Sequence, residues 1–245
     1  MDRPSRMDSP SRMDGRSRKD KRSRKNKRVE DKKPRYLIQD REQSLLAESL
    51  RALSASIRDA EPYGKVRMVL FTSTNSSEGG AMVAVNTATL LAYAGYKVIL
   101  VDCDLRAPIV CDIFQLENTG LSNFVRDEVS QEGILQESRI PNLKVVTSGP
   151  LPLASVTVLS NPKIRVLFDY LHTQADYIIA TSSPILIKTD SVISDACVLA
   201  SKVDGVVLVV DSRTVKPQTA NKVLQLLLGA KANIIGTVLN DVIDY

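Results

Sequence analysis

Residues 66–93 read VRMVLFTSTNSSEGGAMVAVNTATLLAY. The first seven form a nearly continuous apolar run. A polar Ser/Thr/Asn/Gly stretch follows, and 81–93 carries the small and apolar residues of a buried helix. This is strand, glycine-containing turn, helix. The same alternation spreads outward. Short apolar runs recur at 98–101, 143–147, 177–180, 206–210 and 234–239, with helical segments between them, notably 162–173 and 216–228. Upstream, Leu46, Leu50, Leu53 and Ile57 fall at helical spacing within 43–58, and Pro62 and Gly64 end that helix. Strands alternating with helices predict right-handed βαβ units and an α/β fold, a doubly wound, mostly parallel sheet. Ligands of such folds sit at the carboxyl ends of the strands, so the residues just after each apolar run are the informative ones.

Composition agrees with a buried sheet. The chain is 43% hydrophobic but only 4% aromatic, with no Trp, so its core must be mostly Val, Ile, Leu and Ala. No stretch approaches the roughly 20 apolar residues of a membrane-spanning helix. The N-terminus has no apolar core of a secretory signal, which predicts a cytoplasmic protein. Cys103, Cys111 and Cys197 show no pairing or metal-ligand spacing and read as buried, reduced thiols. His172 is the sole histidine and has no evident catalytic partner.

The net charge of +5 is unevenly spread. Residues 1–35 hold 15 of the 33 Lys/Arg and 6 of the 28 Asp/Glu, a balance of +9, which leaves −4 for the remainder. Residues 2–25 are four hexads, DRPSRM, DSPSRM, DGRSRK and DKRSRK, without aromatic or aliphatic β-branched residues. Such a segment cannot offset the entropy of folding, so 1–34 is expected to be a disordered basic tail. It is either a solvated tail without a partner or a surface for anions. An anionic membrane at the inner face of the cell is favoured over nucleic acid, because the tail offers no aromatic side chains to stack on bases. Residues 35–64 are read as a leading helix and linker, and 65–245 as the main domain.

Two strand ends carry candidate chemistry. A working phosphate loop has G-x-x-x-x-G-K-[ST]: backbone N–H groups wrap the phosphates, the Lys neutralises them and the hydroxyl holds Mg²⁺. Here Gly79 is present, but Gly80 stands at the Lys position and Ala81 at the hydroxyl position, followed by Met82. No Lys lies between Thr72 and Asn86, and the charged residue nearest the turn is Glu78, beside Ser77. A charge-assisted hydrogen bond is worth about 1.5–3 kcal/mol, so the lost Lys alone should weaken phosphate binding about tenfold or more. Taken by itself the segment reads as a strand-to-helix turn without a ligand. The second strand ends VILVDCDLRAP, 98–108. Asp102 and Asp104 there are candidates for Mg²⁺ ligation or for taking a proton from a hydroxyl, or one of them caps the next turn.

Taken together, these motifs resemble the bacterial tyrosine kinases (BY-kinases) of the CpsD/CapB capsular and exopolysaccharide type, relatives of the MinD/ParA P-loop ATPases. The resemblance runs from about Leu45 to the C-terminus. It rests on ESLRAL at 48–53, TSTNSSEGG at 72–80, VDCDLRAP at 101–108, FQLENTGLSNFV at 114–125, PNLKVVTSGPLP at 141–152, VDGVVLVV at 203–210 and IIGTVLN at 234–240. It implies a P-loop NTPase-like fold, ATP and Mg²⁺ as family cofactors, and catalytic and metal-holding roles at Asp102 and Asp104. A phosphate loop over Ser77, Glu78, Gly79, Gly80, Ala81 and Met82 is also implied, with Asn240 near the base pocket. Glu48 and Arg51 match the family's helical E-x-x-R, and Tyr245 is the sole tyrosine of the C-terminal tail where relatives accept phosphate.

The chain also departs from the pattern. DYIIATSSP at 176–184 places Thr181 where relatives carry a third-strand Asp and Ser183 where they carry a Pro, and Ser54 replaces a second Arg of the leading helix. Lysine, loop hydroxyl and third-strand Asp are lost together. The expectation is a catalytically impaired, cytoplasmic kinase-like protein that binds ATP and Mg²⁺ weakly or not at all. It would dock on a membrane-embedded polysaccharide chain-length regulator (a co-polymerase) or on a kinase paralogue. An active ATP-dependent autokinase and a ParA-like protein with its tail on nucleic acid are the alternatives, and homo-oligomerisation stays open.

Overall fold

The computed structural model describes residues 37–39, 41, 43–59, 66–75, 79–186 and 194–240. The basic tail therefore lies outside the described residues. Seven strands form one sheet in the order β3-β4-β2-β5-β1-β6-β7. They are β1 (Met68–Ser73), β2 (Val98–Cys103), β3 (Gln136–Glu137), β4 (Leu143–Val146), β5 (Tyr177–Ser182), β6 (Gly205–Asp211) and β7 (Ile234–Asn240). All neighbours pair in parallel except β3 with β4. The parallel, doubly wound sheet is thus as expected, with a short antiparallel edge added.

The helices are α1 (Leu45–Asp59), α2 (Gly80–Tyr93), α3 (Val110–Phe114), α4 (Leu121–Val125), α5 (Ser155–Ser160), α6 (Pro162–Gln174), α7 (Asp195–Ala200) and α8 (Pro217–Gly229). The core divides by strand parity. Met68, Leu70, Ile99, Val101, Ile178, Ala180, Val206 and Leu208 point into one apolar cluster with Leu167 and Phe168 of α6, Leu199 of α7 and Leu227 of α8. Their neighbours Val69, Phe71, Leu100, Ile179, Val207 and Val209 point into the other, with Leu50 and Ile57 of α1 and Val85, Ala88 and Leu91 of α2. A strand covered on both faces has no polar side, which is why these strands read as unbroken apolar runs.

α2 lies between the sheet and α1, and nearly all of it is buried, including Asn86, Thr87 and Thr89. Thr87 and Thr89 donate back to the carbonyls of Val83 and Val85, and Asn86 accepts from the Ile38 N–H at 2.8 Å. On α1, Glu48 is exposed and Arg51 half-buried, but Ser54 is buried and donates to the Leu50 carbonyl at 2.8 Å. The face that holds Ser54 is turned into the core. Of the three thiols, Cys103 is buried while Cys111 and Cys197 are only half-buried, which corrects the expectation that all three are core residues.

Candidate functional site

The parallel arrangement brings the ends of β1, β2, β5 and β6 to one edge of the sheet. Gly79 leads into α2 with φ +68, a left-handed conformation that glycine adopts without a Cβ penalty. A Cβ built there would lie 3.0 Å from Asn240 Nδ2, so the end of β7 does stand beside the turn. Gly80 is buried and starts the helix, and Ala81 and Met82 are half-buried in its first turn. Ser77 and Glu78 lie outside the described residues, as does Tyr245. A Cβ on Gly80 would come within 3.2 Å of Ser73 Cβ. Its backbone tolerates a side chain, yet Ser73 crowds the space.

Asp102, at the end of β2, is 1% exposed. Its Oδ1 accepts from Thr181 Oγ1 at 2.8 Å and from the Asp104 N–H at 3.1 Å. Its Oδ2 accepts from the Val110 N–H at 3.1 Å, at the start of α3. β2 and β5 pair in register, with Asp102 opposite Thr181, which is what sets the hydroxyl against the carboxylate. Burial pushes Asp102 up from 3.8 to about 6, against the opposing hydrogen bonds of Thr181 and Val110. Asp104 accepts from the N–H groups of Arg106 and Ala107, both at 3.1 Å. Burial raises its pKa as well, and the nearby Asp195 adds to the rise. Both carboxylates therefore brace local backbone: Asp102 holds the start of α3, and Asp104 holds the turn before it.

Mg²⁺ asks for open oxygen lone pairs in near-octahedral array. Asp102 has both oxygens engaged by three donors, one of them a hydroxyl at the position where a further carboxylate would be useful. Among the described residues no cluster of three or more His, Cys, Asp or Glu forms a metal-ligand set. The residues described here do not fit a magnesium centre on Asp102, and no reaction step is drawn through one.

A second buried carboxylate, Asp195, was not singled out by the sequence. It is wholly buried at the first turn of α7. Arg106 Nε and Nη2 approach it at 2.7 and 3.3 Å, Ser155 Oγ donates to it at 2.9 Å and Ser183 Oγ at 3.0 Å. This ties the end of β2, the start of α5, the end of β5 and the start of α7 together. Thr181 and Ser183, the two unusual residues of DYIIATSSP, thus each donate to a buried carboxylate. At the opposite edge of the sheet a depression of about 360 Å³ lies between Ile57, Val66, Arg67, Tyr96 and Tyr177. It is remote from the strand-end carboxylates.

No family model matches the chain. Individual proteins do. The chain is 33% identical over 199 residues to the tyrosine-protein kinase YwqD of Bacillus subtilis, covering 81% of this chain and 82% of that one. It is 28% identical to the tyrosine-protein kinase CpsD of Streptococcus agalactiae, covering 82% and 86%. Among solved structures, the chimerical protein CapA2B2 superposes with a TM-score of 0.75 at 28% identity, covering 82% of this chain and 87% of that chain. The kinase domain of the Escherichia coli tyrosine kinase ETK gives 0.75 at 26%, covering 81% and 76%. MinD of Pyrococcus horikoshii shares the fold, at a TM-score of 0.58 and 19% identity, over 71% of this chain and 70% of that one.

Proposed function

The chain belongs to the bacterial tyrosine kinases of the capsular and exopolysaccharide type, and we propose that it serves there without their chemistry, as a docking or regulatory subunit. Its partner would be a membrane-embedded chain-length regulator or a kinase paralogue. The observation that carries this reading is the 2.8 Å hydrogen bond from Thr181 to Asp102. A carboxylate whose two oxygens already take a hydroxyl and two amide donors presents little open coordination to a cation, and a loop without lysine has little hold on a polyphosphate. The first N–H groups of α2 still offer weak attraction to an anion.

A calorimetric titration of the full chain with Mg·ATP tests the reading. Heat of binding is expected to be undetectable at micromolar nucleotide. A dissociation constant in the low micromolar range, or autophosphorylation at Tyr245, would instead favour an active autokinase. The companion variant is Gly80→Lys/Ala81→Ser/Thr181→Asp. The carboxylate introduced at position 181 would face Asp102 without the hydroxyl donor, and the lysine introduced at position 80 would press on Ser73. The triple variant should therefore melt below wild type without ligand. Mg·ATP should raise its melting temperature, because a ligand that binds only the folded state stabilises it by mass action. No shift in a folded triple variant would mean that the pocket itself is gone.

The leader 1–34 is proposed to hold the protein at an anionic membrane surface, each Lys/Arg near the surface adding about 1 kcal/mol before salt screening. Deleting it should leave the melting temperature unchanged and reduce sedimentation with anionic vesicles at low salt. Unchanged sedimentation would reject that role.

A further inference from the structure

Residues 147–162, TSGPLPLASVTVLSNP, contain no charged side chain, although a quarter of the chain is charged. A segment of that length ordinarily carries about four. It leaves the sheet after β4, exposes the apolar side chains at 151–154 and returns to the core at Val158 and Leu159. Leu151 is 68% exposed and Leu153 fully so, with Ala154 exposed beside them.

This tip is held out by a firm base. The Asn118 side chain accepts from the Gly149 N–H and donates to the Gly149 carbonyl, each at 3.0 Å. Ser122 Oγ donates to the Pro150 carbonyl at 2.8 Å. Gly149 has φ +75, and a Cβ there would lie 2.4 Å from Ser122 Oγ, so the chain turns tightly against α4 at this point. Pro150 and Pro152 fix their own φ angles on either side of Leu151. The leucines follow directly on this clamped base.

We propose that Leu151 and Leu153 are a lipid-inserting tip that seats the folded domain on an anionic membrane surface together with the basic leader. This rests on the reading of the leader as lipid-binding. Charge is what favours lipid over a protein groove. Residues 1–35 carry +9 and the remainder −4. Anionic lipid therefore attracts the leader and repels the domain, and an uncharged apolar tip is a contact such a domain can make with that surface. Single weak membrane signals give marginal binding, and two together give stable attachment. Among the described residues no helix is long and apolar enough to cross a membrane.

The chain has no Trp, so Leu153→Trp in the full chain places a sole indole at the tip. Added to phosphatidylcholine vesicles containing phosphatidylglycerol, it should show blue-shifted emission and quenching by lipids brominated in the upper acyl chain. Leu151→Glu/Leu153→Glu should keep the wild-type melting temperature and lose about tenfold or more in vesicle affinity. An unshifted, unquenched indole on protein that sediments with vesicles would mean that the leader alone attaches, and would overturn the tip. Wild-type affinity in the double variant, or a shift that requires an added protein partner in place of lipid, would overturn it too. No sedimentation of the full chain would overturn leader and tip together. None of these outcomes touches the Mg·ATP titration, which tests the loss of chemistry separately.

Discussion

Replacing Asp195 by alanine is expected to lower stability by about 3 kcal/mol or more. Breaking a buried ion pair by removing one partner typically costs about 3–5 kcal/mol, because the other partner keeps its desolvation penalty. Here the loss strands the Arg106 guanidinium, whose side chain is 27% exposed, and the hydroxyls of Ser155 and Ser183. Water can reach part of Arg106, which holds the effect toward the lower end of the range. Arg106→Ala should cost as much or more, since among the described residues it leaves a fully buried carboxylate with two hydroxyl donors. The double variant should be milder than the two single losses added together, because the stranded charge is then absent. For a domain of this size about 3 kcal/mol corresponds to a fall of roughly 6–12 °C in melting temperature. Chemical denaturation of the four proteins in one cycle measures it. Purely additive losses would show that the pair is not coupled. Ser183→Pro, which restores the family's residue, removes one donor to Asp195 and should be destabilising here by a smaller amount.

This network also marks where the sequence ceased to be legible. β2 and β6 could be read directly, since VILV and VVLVV are short, rich in β-branched residues and apolar throughout, as strands covered on both faces are. β3 could not: it is two polar residues, Gln136 and Glu137, paired to β4 through backbone and through the Glu137–Lys144 ion pair, with no apolar run to mark it. α3, α4, α5 and α7 span five or six residues each. That is too short for an apolar period to repeat. At the site, Asp102 and Asp104 were visible because they follow an apolar run, as was the oddity of Thr181 and Ser183. What those hydroxyls do was not visible. Asp195 is 89 positions from Arg106, and nothing local distinguishes it from any acidic residue opening a helix. The crowding of Gly80 by Ser73 is likewise a matter of how β1 meets α2, which φ preferences alone do not report.

The second large effect expected is a rise in stability as pH falls from about 7 to 4. Asp102 has its folded pKa lifted by burial from 3.8 to about 6, with its Thr181 hydrogen bond opposing the lift. A carboxyl whose folded pKa is raised contributes stability that is fully present below the unfolded value and is lost as pH rises through the folded one. The window is therefore about pH 4 to 6. A shift of about two units corresponds to about 3 kcal/mol at order-of-magnitude precision. Asp104 is raised too and acts in the same direction. Glu128, Glu132 and Asp211 are lowered by their own hydrogen bonds, so their contributions begin to be lost only near the acid end of this window. Melting temperature measured from pH 4 to 8 in chelator, without nucleotide, should climb as pH falls through about 6 and be highest at about pH 4–4.5. Asp102→Asn should flatten the curve over pH 5–7.5, at a lower plateau, because its amide must set an N–H against one of three donors. Thr181→Val removes a group that favours the carboxylate, so its loss of stability should begin from a higher folded pKa and its curve should move toward higher pH. A wild-type profile that is flat between pH 5 and 7.5, or one that Asp102→Asn leaves unchanged, would mean that Asp102 carries its charge without cost. Its three donors would then hold it as effectively as water does.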